Sequence, residues 1–235
     1  MRTPAPAFPE TEAAWHRTVD RDGWDDIYVV GDVHGCLSAL DRLLATLDPS
    51  ADDLVVFVGD LVRKGPNSRG VLRRVRDAPN MLSVRGNNEE KLLRGDASIP
   101  ELGPVDLEYV RSMPVAISWD GHLVVHGGVD HRRSLADHSV DDVQNMRALD
   151  PADGYDGPFW FAERDEGPRV FFGHTVLESP VYREYAVGLD TGCVYGGELT
   201  AYDVAGDEFV SVPLARSGRD RSASKIVTPE RTQTV

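Results

Sequence analysis

The chain has 235 residues and a formal charge of −14, and its cations are 22 arginines against three lysines. That length suffices for one domain with a sizeable core, while the acid excess repels phosphate backbones and excludes nucleic acid as a bulk partner. No run of about 18 apolar residues is present to cross a membrane, and Met1 to Glu10 carries no basic-then-apolar leader, so a cytoplasmic location without membrane contact is expected. Acid excess with scarce lysine resembles halophilic proteins, whose self-repulsion is screened by salt. Cys36 and Cys193 lie far apart in sequence and form no CxxC pair, so they read as two small buried hydrophobes.

Residues 1–26 mix Pro, Ala and acidic residues and read as an N-terminal arm. The domain is expected over 27–215, and 216–235, rich in Arg, Ser, Thr and Gln, reads as a disordered tail. Ile27 to Val30 is an apolar run expected to be a buried strand. Leu37, Leu40, Leu43, Leu44 and Leu47 then recur at helical spacing until Asp48-Pro49. A strand over Leu54 to Val58, a helix around Val71, Leu72 and Val75, a strand over Met81 to Val84 and a helix through Glu89 to Arg94 complete a β-α-β-α-β-α run, which argues for an α/β core.

The second half is richer in strands. Val115 to Trp119 and His122 to His126 are joined by Asp120-Gly121, a two-residue hairpin signal. Strands follow at Arg169 to Phe172, Ala186 to Leu189, Glu198 to Val204 and Glu208 to Val212. Two packed sheets with helices outside accommodate that order.

Five strands end in a glycine beside a polar residue: Gly31-Asp32-Val33-His34, Gly59-Asp60, Gly86-Asn87-Asn88-Glu89, His126-Gly127-Gly128 and Gly173-His174-Thr175. Open α/β sheets bind ligands at the carboxyl ends of strands. Carboxylate, amide oxygen and imidazole suit divalent Mn, Fe, Zn, Co or Mg-like ions. A pair of such ions held about 4 Å apart shares an acidic ligand and activates a hydroxide for in-line attack at phosphorus. His16, His122, His131 and His138 read as surface histidines, with the last two as alternatives able to reach the site, and Phe159, Trp160 and Phe161 read as core aromatics, with a pocket wall for a base as the alternative.

The order Gly-Asp-x-His-Gly, Gly-Asp-x-Val, Gly-Asn-x-Glu, His-Gly-Gly, Gly-His-Thr resembles the calcineurin-like metallophosphoesterases. Within them it is similar to the serine/threonine phosphoprotein phosphatases and, through residues 59–68 and 188–197, to the symmetrical diadenosine tetraphosphate hydrolases. The resemblance implies a β-sandwich of two mixed sheets flanked by helices and two divalent metal ions, manganese first, with Fe, Zn, Co, Ni or Mg as alternatives. It implies Asp32, His34 and Asp60 as ligands of one metal, and Asp60, Asn87, His126 and His174 as ligands of the other. Lys64 and Arg147 fall where the family meets phosphate. The implied activity is hydrolysis of phosphate monoesters or phosphoanhydrides by a metal-bound hydroxide, on a phosphoprotein or a nucleoside oligophosphate. In the family a His, oriented by an Asp, donates a proton to the leaving oxygen. Asn88 and Arg63 stand at those two positions. The alternative is therefore a weakened member that binds a phosphorylated ligand without efficient turnover.

Overall fold

The computed structural model describes residues 15–214 and 219–229. Eleven strands form two mixed sheets among the described residues. In chain order they are β1 (His16–Thr18), β2 (Ile27–Val30), β3 (Leu54–Phe57), β4 (Met81–Ser83), β5 (Ala116–Trp119), β6 (His122–Val125), β7 (Arg169–Phe172), β8 (Val181–Tyr182), β9 (Ala186–Gly188), β10 (Glu198–Asp203) and β11 (Glu208–Pro213). The helices are α1 (Leu37–Leu47), α2 (Ser68–Arg76), α3 (Asn87–Arg94), α4 (Pro104–Ser112), α5 (Val140–Asn145) and α6 (Trp160–Glu163). One sheet has the order β11-β10-β2-β3-β4, the other β1-β5-β6-β7-β9-β8.

Successive strand residues point to opposite faces, and the strands here are apolar on both. On β2, Ile27 and Val29 face the second sheet while Tyr28 and Val30 pack with the helices. On β3, Leu54 and Val56 join the layer between the sheets, and Val55 and Phe57 the helical layer. Trp119, Val124, Phe171 and Val187 close the middle layer from the other side. Each such fully buried side chain contributes roughly 1.5–3 kcal/mol of transfer free energy. Helices α1 and α2 cover the first sheet with Leu40, Leu43, Leu44, Val71, Leu72 and Val75. Val143, Trp160 and Phe161 cover the second.

The topology decides where the polar residues go. β2, β3 and β4 are parallel neighbours, so their carboxyl ends lie side by side. β6, β7 and β9 are parallel neighbours in the other sheet. Six strand ends therefore converge on one edge of the sandwich.

Two boundaries differ from the sequence reading. Residues 1–14 of the expected arm lie outside the described residues, but 15–26 belong to the domain. Trp15 is buried, and His16, Arg17 and Thr18 pair in parallel with Ala116, Ile117 and Ser118. At the other end, the described part of the expected tail, 219–229, packs back on the domain: Val227 is buried, and its N–H donates to Val176 O at 2.8 Å. In both segments one or two apolar anchors sit among polar residues, which leaves no periodicity to read. α4, which covers Val110 and Met113 against the first core layer, was also absent from the sequence reading. No helix among the described residues is long and apolar enough to cross a membrane.

Candidate active site

Each side chain expected at the site leaves the end of a strand or begins a helix. Asp32 and His34 follow β2, Asp60 follows β3, Asn87 opens α3, His126 follows β6 and His174 follows β7. Their backbones are unusual. Of seven non-glycine residues with positive φ among the described residues, five are here: His34 (49°), Asp60 (51°), Arg63 (69°), Lys64 (65°) and His174 (63°). Such conformations cost of order 1–3 kcal/mol each and persist only where the surroundings over-determine them. Two glycines make the approach tight. A Cβ on Gly173 would collide with Asp32 Oδ1, and one on Gly86 with the amide and Oδ1 of Asp60.

Asp60 is the centre of the cluster. Its Oδ2 lies 3.5 Å from His34 Nε2, and its Oδ1 lies 3.4 Å from His126 Nε2. Asp32 Oδ2 is 3.8 Å from His34 Nε2, and the His174 amide donates to Asp32 at 3.3 Å. Asn87 Oδ1 is 3.2 Å from His126 Nε2, and the rings of His126 and His174 are 5.0 Å apart. The structure thus brings all six expected ligands together from both sheets. The imidazole tautomers are set from behind: His34 Nδ1 donates to Val62 O at 3.2 Å, and His126 Nδ1 donates to Val58 O at 2.8 Å. That leaves each Nε2 facing the carboxylates.

Lys64 Nζ donates to His34 Nε2 at 2.7 Å. Asn88 donates its backbone N–H to Asp60 Oδ1 at 2.9 Å and its amide to Asp60 Oδ2, while Arg63 Nη1 donates to Asn88 Oδ1 at 2.7 Å. The two residues at the proton-donor positions therefore still touch, as an amide and a guanidinium. Arg147 lies farther out, its guanidinium 4.9 Å from the centroid of the Tyr155 ring and its Nε buried without a hydrogen-bond partner.

Burial dominates the electrostatics. It lifts the Asp32 carboxyl well above the usual range, with the neighbouring Asp190 charge adding to the effect. At Asp60 burial acts the same way but is outweighed by His126, His34 and Lys64, which hold its carboxyl well below that range. Burial drives His34 down to about 3 and His174 well below its ordinary value. His126 goes the other way, up to about 9, because Asp60 and Asp32 outweigh its burial.

These residues fit a metal. Oxygen and nitrogen atoms of Asp32, His34 and Asp60 all lie within 4.8 Å of one another, and all three residues are buried. His174 Nε2 is buried with no hydrogen-bond partner, on a ring 5.0 Å from that of His126. The donor set is carboxylate, imidazole and amide oxygen, which suits Mn, Fe, Co, Zn or Mg. Two buried carboxylates side by side are costly without a cation between them.

Two residues were missed by sequence reasoning. Glu89 is fully buried and accepts the N–H groups of Asp60 (2.9 Å), Gly86 (2.9 Å) and Val62 (3.0 Å). Burial, then the Asp60 charge, pushes its carboxyl up to about 7. Asp190 follows β9, the sixth strand end, and is buried beside Asp32. Its signal was present as Gly188-Leu189-Asp190, the same strand-then-aspartate pattern as at Asp32 and Asp60.

The histidines expected at the surface are mostly structural. His138 is buried, accepting the Asp130 N–H at Nε2 (2.8 Å) and donating Nδ1–H to Ser134 O (3.0 Å). His122 stacks on Trp119 at 5.3 Å, and His16 Nε2 meets Ser118 Oγ at 2.8 Å. Flat rings beside sheet edges bury more than sequence position suggests. His131 is half-buried, with Nδ1 unpartnered. Trp160 and Phe161 are core, as expected.

The profile of the family described as calcineurin-like phosphoesterase matches residues 26–212. A symmetrical bis(5'-nucleosyl)-tetraphosphatase of Ralstonia nicotianae is 29% identical, over 82% of this chain and 91% of that protein. Serine/threonine-protein phosphatase 1 of Salmonella typhimurium is 28% identical, over 79% of this chain and 94% of that one. A crystal structure of a candidate diadenosine tetraphosphatase superimposes with a TM-score of 0.76 at 30% identity, covering 84% of this chain and 97% of the other. The match thus takes in β2 to β10, most of β11 and every strand end that bears a site residue, and the chain belongs to the calcineurin-like phosphoesterase family.

Proposed function

We propose that this phosphoesterase is a binuclear enzyme that favours phosphoanhydrides, and activated aryl esters, over alkyl phosphate monoesters. The observation that carries the two-metal reading is Asp60, whose two oxygens face two different histidine-bearing groups. Asp32, His34 and Asp60 would hold one ion, and Asp60, Asn87, His126 and His174 the other. When bound, the ions supply positive charge against the phosphoryl oxygens and acidify the attacking water. Within this reading the family resemblance puts manganese first, the acid excess with scarce lysine suits a salt-adapted cell, and the site is taken to work in the cytoplasm.

The chain's own residues do the rest. Lys64, beside the cluster, and Arg147 meet the transferred phosphoryl group as cations and hold it in place. Glu89 fixes the backbone that carries Asp60. The preference among bonds comes from Arg63 and Asn88. An amide has no transferable proton, and a guanidinium does not give one up in the working range. An alkoxide leaving group needs that proton, and lacking the donor costs about 10² to 10⁴ in rate. A departing phosphate does not, since its second pKa is about 6. The nucleotide hydrolase named above acts, by its name, on such a bond, and this supports the same choice here.

The test is phosphate release in manganese from diadenosine tetraphosphate, p-nitrophenyl phosphate and a phosphoserine peptide. The account expects the anhydride to exceed the peptide by at least about 10² in kcat/KM, the lower bound of the missing-acid penalty. An Asn88→His, Arg63→Asp double variant should narrow that ratio more than either single change, because the two residues act as a unit. A wild-type peptide rate equal to the anhydride rate would overturn the preference.

A further inference from the structure

The segment after the family match ends, 219–229, carries two arginines back to the site. Val227 anchors it: its N–H donates to Val176 O (2.8 Å), and its carbonyl accepts the Glu178 N–H (2.9 Å). Upstream of that anchor, Arg219 Nε donates to the backbone carbonyl of Lys64 at 2.7 Å. Arg221 Nη2 donates to the Tyr155 hydroxyl at 2.6 Å, and its Nε to Lys225 O at 2.8 Å.

Two tyrosine rings link these arginines to the expected phosphate contacts. The Arg221 guanidinium is 4.9 Å from the Tyr195 centroid and 5.7 Å from that of Tyr155. Lys64 Nζ lies over Tyr195 at 5.4 Å, and Arg147 over Tyr155 at 4.9 Å. Lys64, Arg221 and Arg147 therefore form an arc, each neighbour sharing a ring with the next: the Lys64 end touches His34, the Arg147 charge acts on His174, and Arg221 stands between them. Among the described residues none of the three forms an ion pair with a carboxylate. Asp190 feels the Lys64 and Arg221 charges but lies beyond salt-bridge contact. In a chain of net charge −14, Arg221 and Arg147, left to aromatic faces and neutral oxygens, add positive charge beside Lys64, whose own charge already acts on Asp32, Asp60 and Asp190. An arc of that kind is satisfied by a ligand with several negative charges.

We propose that Arg221, oriented by Tyr155 and Tyr195 and standing between Lys64 and Arg147, is a second anion subsite that takes the distal phosphates of a nucleoside oligophosphate. The proposal rests on hydrolysis taking place at the Asp60 cluster. A monoester is held by the two ends, Lys64 and Arg147, whereas the further phosphates of an oligophosphate also meet Arg221 between them. The subsite thus selects by the number of phosphates, a property the proton-donor argument does not supply.

The probe is inorganic tripolyphosphate, with orthophosphate as its single-phosphate counterpart, both titrated calorimetrically into the full chain at constant free manganese. Arg221→Gln should weaken tripolyphosphate about tenfold and orthophosphate less than threefold, one lost charge-assisted contact being worth about that factor. Arg221→Lys, which keeps the charge, should recover most of the loss, and Tyr155→Phe should fall between. In turnover, Arg221→Gln should raise KM for diadenosine tetraphosphate more than KM for p-nitrophenyl phosphate, with kcat changed less than KM. Equal shifts for the two anions, or none, would overturn the proposal, as would an Arg221→Lys variant no better than Gln. Binding decides the matter even if no anhydride is cleaved, a result that would count against the proposed function and not against the subsite.

Discussion

Glu89 shows how a single buried side chain can shape a site without entering it. Three backbone N–H groups, of Asp60, Gly86 and Val62, converge on its two oxygens. Asp60 sits at φ 51°, a left-handed conformation that non-glycine residues adopt uncommonly, so this carboxylate clamp offsets part of its cost. Glu89→Gln keeps the shape but turns an NH2 group toward at least one N–H donor. A buried donor left unmade costs about 1–3 kcal/mol. At about 2–4 °C per kcal/mol for a chain of this size, a clear fall in melting temperature is expected, together with reduced manganese retention after dialysis. Unchanged melting and unchanged metal content in the variant would remove Glu89 from the account. The sequence displayed Glu89 inside Gly86-Asn87-Asn88-Glu89, and its Gly86 contact is a local capping box, yet Asp60 and Val62 lie 29 and 27 residues away after another strand, and no local pattern encodes those two contacts.

Among the elements, strands and helices with strong periodicity were legible to within a residue or two. α1 runs from Leu37 to Leu47 as its leucines predict, and ends where Asp48 turns left-handed at φ 46° before Pro49. Weakly patterned pieces were not legible: β1, β8, α5 and α6 are short and depend on packing, and α4 buries only Asp106 and Val110 while leaving Val105 exposed. The loop after β6 belongs to this class, and His138 is its anchor. Neutral His138 accepts the Asp130 amide. Burial first, then the Arg133 charge, lowers its pKa below the ordinary 6.5, while Asp142 and the carbonyls of Ser134 and Leu135 oppose that. The unfolded chain then binds the proton more readily, so the stabilisation is present above about pH 6.5 and lost as pH falls below it. His138→Gln should therefore cost melting temperature at pH 7.5 and progressively less toward pH 5. A difference between wild type and variant that stays constant over that range would contradict this role for His138.

At the scale of the whole molecule, the site exists because two sheets each place three parallel strand ends on the same edge. The ligand types were readable from the sequence, since each follows an apolar run and a glycine or precedes one. Their convergence was not, because strand order decides it: β2, β3 and β4 must neighbour one another, as must β6, β7 and β9. The contribution of 219–229 was equally hidden, its arginines looking like tail residues until Val227 tied them down. The central claim is that Asp60 joins two ions held from the two sheets. The most direct measurement is an anomalous difference map from a manganese-soaked crystal. The account predicts two peaks, one beside Asp32 and His34 and one beside Asn87, His126 and His174, with Asp60 contacting both. A single peak, or two that do not share Asp60, would contradict it.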